Sequence, residues 1–312
     1  MTGGAGFIGS NFVHHMINQT SCTVINLDKL TYAGNLNNIK DLRHEKCHKF
    51  VRGDIRNQKL VNSLARKVDA VVNFAAESHV DRSIRTPQVF TETNVLGTHV
   101  LLEACRRFGV RFEQISTDEV YGSRAKGSFG ETDPLNPSSP YSASKAAADL
   151  LVNSYYVTHG LNVSVTRSTN NYGPNQHPEK LIPRLVMNAL RGKPLPIYGS
   201  GKNVRDWIFV EDNCRAIQFV LEKGEKGQIY NIGGGNERKN IDVATEILKR
   251  LSLPGTRIEL VSDRLGHDYR YSLECDKIHR LGWRPQVDFE EGLQKTIDWY
   301  TVNQWWWRPL ID

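Results

Sequence analysis

Short apolar runs alternate with longer stretches of helical periodicity along the first half of the chain. The runs at 22–27 and 69–74 are rich in apolar residues, as expected of strands buried on both faces of a parallel sheet, and 163–167 reads as a further strand. Helical patterns at 94–108 and 141–159 lie between them, with apolar residues on one side. The alternation predicts an α/β fold built on a doubly wound parallel sheet.

The pattern changes after Pro174, where prolines, glycines and polar loops become more frequent. A strand is predicted at 229–232, and helices follow it. No repeat, low-complexity segment or obvious linker separates the two halves. We expect a first domain over 1–167, with parts of 204–235 returning to it, and a smaller, interleaved second domain over 168–312.

A glycine-rich turn opens the chain and is followed by a helix and then by an acidic strand end. Gly3, Gly6 and Gly9 let the backbone approach a pyrophosphate, which would sit at the N-terminus of the helix predicted over 7–18. The next strand ends at Asp28, about 20 residues after the glycines, where a carboxylate binds the ribose hydroxyls of adenosine. A carboxylate there repels a 2′-phosphate, so the pattern predicts NAD rather than NADP.

Only Met1 and Thr2 precede this turn, although a glycine loop of this kind normally follows a β-strand. We therefore expect either a stub in the place of the first strand or a trimmed start. A central parallel strand is buried on both faces, so its loss is expected to weaken folding and cofactor retention.

Two later segments carry groups suited to acid–base chemistry. Tyr141 and Lys145 form the pattern Y-x-x-x-K, and residues four apart on a helix lie on one face. A nearby ammonium favours the phenolate, which predicts that Tyr141 removes a proton from a sugar hydroxyl near neutral pH. Thr117, Asp118 and Glu119 follow an apolar-leaning run, and two adjacent carboxyls at a strand end fit an acid and a base acting on one substrate.

Composition and charge argue against several other classes of function. The net charge of +6 is spread along 312 residues without a basic block, which disfavours nucleic-acid binding. No apolar run approaches the ~20 residues of a membrane span, and we expect neither a membrane association nor a leader. Scattered cysteines without C-x-x-C spacing predict reduced thiols, a cytoplasmic location and no metal site. The cysteines are Cys22, Cys47, Cys105, Cys214 and Cys275.

Taken together, these motifs resemble the extended short-chain dehydrogenase/reductases and, within them, the dTDP-glucose 4,6-dehydratases. The resemblance runs from Gly3 to Leu310. The segment Ser116–Glu119 discriminates, because the sugar 4-epimerases and decarboxylases of the superfamily lack the Asp-Glu pair there. Five further segments match the same pattern, at 168–174, 178–183, 194–199, 205–207 and 263–268.

The resemblance implies a Rossmann-like first domain that binds NAD and a second domain that binds the substrate. Tyr141, aided by Thr117 and Lys145, would remove the 4-hydroxyl proton while the C4 hydride passes to NAD. Glu119 would then abstract the C5 proton and Asp118 would protonate the departing 6-hydroxyl, after which hydride returns to C6. The cofactor is regenerated in each turnover, so it is expected to stay tightly held.

The resemblance also implies which residues surround the ligands, and it implies a homodimer formed through the helices at 94–108 and 141–157. The cofactor-binding set is Gly3, Gly6, Phe7, Ile8, Gly9, Asp28, Lys29, Asp54, Ile55, Ala75, Ala76, Asn94, Ser116, Tyr141 and Lys145. The substrate-binding set for dTDP-glucose is Ser78, His79, Thr117, Asn170, Glu179, Lys180, Leu181, Pro196, Tyr198, Arg205, Asn240, Arg264 and His267. Arg205 and Arg264 would hold the diphosphate, and Tyr198 would stack on the pyrimidine.

Three alternatives stay open at this point. A dehydratase of another nucleotide sugar is compatible with the sequence, because UDP- and dTDP-sugars differ only by small groups on base and ribose. The pair Asp118 and Glu119 disfavours a 4-epimerase. A non-catalytic NAD-binding protein is disfavoured because each catalytic position carries a residue able to do the required chemistry.

Two further features fit structural roles better than functional ones. His79 fits a structural role better than a catalytic one, and the three tryptophans at 305–307 fit packing better than base binding.

Overall fold

The computed structural model describes residues 1–263 and 266–311, and strands alternate with helices throughout the first half of that chain. The strands are β1 (Val24–Asp28), β2 (His48–Arg52), β3 (Ala70–Asn73), β4 (Arg111–Thr117), β5 (Val163–Ser168), β6 (Asn170–Tyr172), β7 (Leu195–Tyr198), β8 (Val204–Phe209), β9 (Gln228–Ile232), β10 (Glu237–Lys239) and β11 (Ile258–Val261). The α-helices are α1 (Phe7–Gln19), α2 (Gln58–Ala65), α3 (Val80–Arg85), α4 (Pro87–Phe90), α5 (Gly97–Phe108), α6 (Pro140–His159), α7 (Leu181–Leu190), α8 (Val210–Lys223), α9 (Asn240–Arg250), α10 (Asp276–Leu281), α11 (Phe289–Val302) and α12 (Gln304–Trp307). Shorter 3₁₀ turns and a π-helical turn, Thr91–Leu96, complete the chain.

A parallel sheet forms the centre of the molecule. Strands β3, β4, β5 and β9 are hydrogen-bonded in that order, and β1 pairs with β2 beside them. Alternate residues of β4 point to opposite faces, so Phe112 joins a core with α2, α5 and α6, while Ile115 joins a core with α1 and α8. Helices therefore cover both faces of the sheet. The predicted α/β fold with a doubly wound parallel sheet is confirmed.

The place of the first strand is taken by two residues. Thr2 forms parallel bridges to Leu27 of β1 and Asn73 of β3, so it joins the two halves of the sheet. The Met1 amine is buried and donates a 2.7 Å hydrogen bond to the carbonyl of Ile25. Burial lowers the pKa of this amine to about 6, since the charged form loses its hydration there. Thr2 thus occupies the position of a strand between β1 and β3, and a small apolar cavity between β1, α2 and α5 lies beside it.

A second hydrophobic core is built from the second half of the chain, apart from the main sheet. It packs Leu185 of α7, Ile247 of α9 and Leu293 of α11 together, and the chain around it carries two small sheets. Strands β6, β8 and β10 form one of these sheets and β7 and β11 the other. Trp306 and Trp307 are buried in this core, while Trp305 is half-exposed under the ammonium of Lys40. Strand β9 leaves this region and pairs with β5, so the chain crosses back to the main sheet.

The described residues form no membrane-spanning helix, disulfide or metal-binding cluster. No helix within residues 1–263 and 266–311 is long and apolar enough to cross a membrane. All five cysteines carry free thiols. No cluster of three or more His, Cys, Asp or Glu side chains in the same described chain could hold a metal ion.

Candidate active site

A cleft opens where several parallel strands end. Its cavity measures about 300 Å³ and lies between the carboxyl ends of β1, β3, β4 and β5 on one side and the segment before α7 on the other. Parallel α/β sheets bind ligands at this edge, because the loops that follow the strands all converge there. The predicted catalytic and cofactor residues that line the cavity are Gly3, Gly6, Phe7, Ile8, Gly9, Asp28, Lys29, Asp54, Ile55, Ala75, Ala76, Ser116, Thr117, Asp118, Glu119, Tyr141 and Lys145.

The glycine turn has the form of a phosphate cradle. Gly3 has a φ of +69°, and a Cβ on it would lie only 2.6 Å from the backbone nitrogen of Ala75. A Cβ on Gly9 would lie 2.2 Å from the carbonyl oxygen of Gly3, so the start of α1 packs directly on the turn. Gly6 caps α1 without a side-chain hydrogen bond, which leaves the first N–H groups of the helix available to an anion. These residues fit a dinucleotide pyrophosphate.

Asp28 lies at the end of β1 beside this cradle. Its carboxylate accepts hydrogen bonds from the backbone N–H of Ala5 at 2.9 Å and of Leu30 at 2.8 Å. Burial raises the pKa of Asp28, and these two hydrogen bonds oppose the shift. Each carboxylate oxygen keeps a lone pair for a further donor, so the group fits the two ribose hydroxyls of NAD. Further along the cleft, Lys29 and Asp54 form a 2.9 Å ion pair.

The acid pair lies where β4 ends in a 3₁₀ turn, Asp118–Tyr121. The Thr117 hydroxyl donates to Asp118 at 3.1 Å and accepts from the backbone N–H of Glu119 at 3.3 Å, which fixes the two carboxyl groups relative to each other. Asp118 is buried, whereas Glu119 is half-buried. Burial, together with the negative charge of Glu119, raises the pKa of Asp118 to about 8. Asp118 is therefore a neutral acid at pH 7, able to donate a proton.

Tyr141 and Lys145 lie on the first two turns of α6, whose N-terminus is fixed by a capping box between Ser139 and Ser142. Both side chains are buried. The Lys145 ammonium donates to the carbonyl of Ile115 at 2.5 Å. Burial lowers the pKa of Lys145 to about 8.

The expected phenolate at Tyr141 is not supported by these surroundings. Burial raises the pKa of Tyr141, and the negative charge of Glu119 raises it further, while the contact with Thr117 acts in the opposite direction. The pattern Y-x-x-x-K predicted a lowered pKa, because it shows the nearby cation but not the burial or the carboxyl groups. A positive charge or a further hydrogen-bond donor at the phenol oxygen would favour ionisation of Tyr141.

The predicted substrate residues fall into two groups. Ser78, Asn170, Glu179 and Lys180 line the cavity together with Thr117. The side-chain oxygen of Asn170 is buried and has no hydrogen-bond partner in the described chain, as expected of a group that a ligand satisfies. The predicted residues outside the cavity lining are His79, Asn94, Leu181, Pro196, Tyr198, Arg205, Asn240 and His267. Arg264 lies outside the described residues.

Two residues of the outer group are held by hydrogen bonds within the protein. Asn94, predicted to bind the cofactor, accepts from the N–H of Glu77 and donates to the Glu77 carbonyl and the Ser144 hydroxyl, so it ties α6 to the end of β3. Arg205 donates to the carbonyls of Tyr269 and Asp268, and its guanidinium lies 4.3 Å from the centre of the Tyr271 ring.

Tyr198, at the end of β7, and His267 lie together, with ring centres 6.1 Å apart. His267 also contacts the carboxylate of Asp263 at 2.6 Å. These contacts place an aromatic and two polar groups in one region, away from the cavity that holds the acid pair.

One feature of the cleft was not predicted. Tyr32, in the loop after β1, donates a 2.9 Å hydrogen bond to Glu179 across the cleft. The guanidinium of Arg82 lies 3.7 Å from the centre of the Tyr32 ring, and His177 meets the same ring edge-on. The cavity-lining residues that were missed include Thr31, Gly34, Glu77, Ser168, Gln176 and His177. The sequence could have indicated these lining residues, because they lie beside predicted strand ends. It could not have indicated the contact between Tyr32 and Glu179, which are 147 residues apart.

Comparisons with known proteins agree with this geometry. The family model described as GDP-mannose 4,6 dehydratase matches residues 1–296. A dTDP-glucose 4,6-dehydratase from Streptomyces antibioticus is 51% identical, over 99% of this chain and 94% of its own length. The low-salt glycan biosynthesis protein Agl12 of Haloferax volcanii is also 51% identical, over 96% of this chain and 97% of its own.

Among solved structures, the dTDP-glucose 4,6-dehydratase DesIV from Streptomyces venezuelae, with NAD and dTDP bound, superimposes with a TM-score of 0.97. It is 52% identical and covers 99% of this chain and 98% of its own. The predicted resemblance is confirmed: the chain belongs to the GDP-mannose 4,6 dehydratase family, among the extended short-chain dehydrogenase/reductases of the dTDP-glucose 4,6-dehydratase type.

Proposed function

We propose that this protein converts dTDP-glucose into dTDP-4-keto-6-deoxyglucose with NAD as its cofactor. The observation that carries the proposal is the carboxyl pair at the end of β4. Asp118 is a neutral acid with a pKa of about 8, and the half-buried Glu119 follows it in the same turn. Elimination of water needs both an acid and a base at one sugar, and unequal environments assign the two roles. The dTDP-glucose 4,6-dehydratases among its relatives support the same reaction.

The first step is oxidation at C4. Tyr141 removes the proton of the 4-hydroxyl, assisted by Thr117, and Lys145 contributes a positive charge below the ligand. The glycine cradle would hold NAD, which would supply the acceptor for the C4 hydride and the donor for its return to C6. Since the negative charge of Glu119 opposes ionisation of Tyr141, the cation supplied by Lys145 offsets that charge during proton removal.

The second step is elimination of water. The 4-ketone makes the C5 proton acidic, and Glu119 removes it. Asp118 then gives its proton to the 6-hydroxyl, which leaves as water while the C5–C6 double bond forms. Glu119 returns its proton to C5 when hydride is added to C6. Burial supports this order of events, because the Asp118 proton is retained at neutral pH until a leaving group accepts it.

Binding of the nucleotide falls to the second domain. We assign the diphosphate to Arg205 and Arg264 and the pyrimidine to Tyr198, because planar guanidinium groups fork onto phosphate oxygens and aromatic rings stack on bases. We further assign 1–167, with β9, to cofactor binding and the remainder of 168–312 to substrate binding. Strand β9 supports this division because it pairs with β5 of the main sheet.

We also propose that two copies associate through α5 and α6. Large apolar side chains are exposed along this side of the molecule: Leu96 is 49%, Leu150 61% and Val157 71% exposed. An apolar stripe on a long helix is covered in stable assemblies. The five free thiols and the nucleotide-sugar chemistry support a cytoplasmic location.

A dehydratase of a UDP-sugar is the second candidate, because UDP- and dTDP-sugars differ only by small groups on base and ribose. Purified protein is therefore incubated with dTDP-glucose, UDP-glucose or UDP-N-acetylglucosamine, with no NAD added, and the products are weighed by mass spectrometry. We expect loss of one water from dTDP-glucose alone. Loss of water only from a UDP-sugar would transfer the proposal to that substrate, and no loss from any sugar, with or without NAD, would contradict it.

A further inference from the structure

A buried ion pair lies directly behind the catalytic residues. The Arg167 Nε of β5 is 2.9 Å from an oxygen of Asp149 on α6, and the two side chains are only 3% and 1% exposed. Asp149 follows Lys145 by four residues on the same helix, so both lie on one face. Burying two charges is costly, and an apolar pair of similar size would serve stability equally well or better. The pair therefore calls for a role other than stability.

Hydrogen bonds connect this pair to the elements that carry the chemistry. The Ser116 hydroxyl donates to the same Asp149 oxygen at 2.9 Å, and Ser116 precedes the Thr117–Glu119 segment. Arg167 donates to the phenol oxygen of Tyr121 at 2.8 Å, and Tyr121 ends the 3₁₀ turn that holds the acid pair. The Asp149 carboxylate of α6 thus contacts Ser116 of β4 and Arg167 of β5.

The charges around Lys145 are few and come from three elements. Asp149 is on its own helix, Asp118 and Glu119 follow β4, and Arg167 of β5 stands behind Asp149. Burial pushes the pKa of Lys145 down to about 8, and the negative charge of Asp149 opposes this shift. Arg167 is in turn a positive charge that reduces the effect of Asp149 at Lys145.

We propose that Asp149 is a positioning residue of the active site: its carboxylate orients Ser116 and keeps the Lys145 ammonium charged, and Arg167 sets the strength of that effect. The inference rests on the proposed function, since Lys145 acts only in the C4 oxidation. It assigns a role in the reaction to two residues that are not among those lining the cavity.

The test is the pH profile of C4 oxidation, read as the single-turnover rise of NADH absorbance. A Glu119→Gln background is used in every sample, because it halts the reaction after oxidation and removes any dependence on the Asp118 proton. In Asp149→Asn, Lys145 loses the nearby negative charge of Asp149, which lowers the pKa of its ammonium. The alkaline limb of the pH–rate profile, which reports deprotonation of Lys145, is therefore expected to move to lower pH by about one unit. In Arg167→Met, Asp149 acts unopposed, and the limb is expected to move to higher pH.

Opposite shifts cannot arise from general structural damage, which lowers the rate at all pH values. Ser116→Ala is the matched variant that removes the hydrogen bond and keeps the charge, so it should lower the rate without moving the limb. Asp212→Asn, which breaks the ion pair between a buried aspartate and the partly exposed Arg215 outside the cavity lining, serves as the control for loss of a buried carboxylate. If Asp149→Asn fails to fold by circular dichroism, Arg167→Met alone decides the question.

Shifts in the same direction, or no shift in either variant, would overturn the inference. Failure of the proposed function has a different signature, because the enzyme without any substitution would then release no water from dTDP-glucose. A normal product with unmoved pH limbs would refute only the role of Asp149.

Discussion

The two sides of the cleft are built in different ways. On the sheet side, the groups that act on the sugar come from consecutive strand ends and one helix, and short hydrogen bonds fix them, such as that of Lys145 to the Ile115 carbonyl. On the opposite side, Tyr198 ends β7, Arg205 lies in β8 and His267 lies in a loop, and each contacts other protein groups. The proposed acid–base groups are thus positioned by strand ends and a helix, whereas the residues proposed to bind the nucleotide already hold polar contacts within the protein.

The largest expected effect is the loss of activity when the proposed base on the sheet side, Tyr141, is replaced. In Tyr141→Phe the 4-hydroxyl proton loses its acceptor while the ring packing is retained, so kcat should fall by roughly 10²–10⁴-fold with a modest change in KM. Steady-state product formation measures this. A loss of less than fivefold would show that another group removes the proton.

A change among the residues proposed to bind the nucleotide should alter substrate binding rather than the rate of the chemical step. Arg205→Lys keeps the charge and removes the planar fork, so KM should rise by about tenfold while kcat changes little. Initial rates over a range of dTDP-glucose concentrations separate the two constants. An equal fall in kcat would place Arg205 in the transition state and erase the contrast between the two sides.

Tyr32 links the two sides, and its loss should therefore have an intermediate effect on cofactor retention. Tyr32→Phe removes the hydrogen bond to Glu179, whose net worth of about 1 kcal/mol corresponds to roughly fivefold faster release of NAD. Release is followed by dialysis and by the fluorescence of bound NADH. Tyr156→Phe, remote from the cavity, is the control, and equal release rates in both variants would show that the contact does not retain the cofactor.

The smallest expected effect is on stability and follows from the raised pKa of Asp118. The folded protein holds this proton up to about pH 8, whereas the unfolded chain releases it near pH 4, so stability from this group falls as pH rises between those values. Asp118→Asn cannot ionise and should have a higher melting temperature than the unsubstituted protein at pH 8, by a few degrees, and nearly the same one at pH 4. A pH-independent difference in thermal unfolding would contradict the buried neutral acid.

The sequence was sufficient where function depends on local spacing. The glycine turn, Asp28 at the next strand end and the Tyr141–Lys145 spacing each lie within one βα unit or one helix, and periodicity identified those elements. The sequence places only Met1 and Thr2 before the glycines. Thr2 bridges both neighbouring strands, an arrangement that spacing could not reveal.

Features that depend on distant parts of the chain were missed. The Tyr32–Glu179 contact and the Asp149–Arg167 pair join residues from different elements, and neither shows a periodic or motif signal. The burial of Tyr141 and its proximity to Glu119, which raise the pKa of the phenol, are likewise set by tertiary packing and carry no signal in the motif.

The division of labour between Asp118 and Glu119 is the central claim, and a substrate that needs no acid tests it most directly. In dTDP-6-deoxy-6-fluoroglucose the leaving group is fluoride, which departs without a proton. With this substrate, Asp118→Asn should release fluoride at close to the rate of the unsubstituted protein, while Glu119→Gln should remain slow by about 10²-fold or more. Slow release by both variants, or rescue of Glu119→Gln, would contradict the assignment of acid and base.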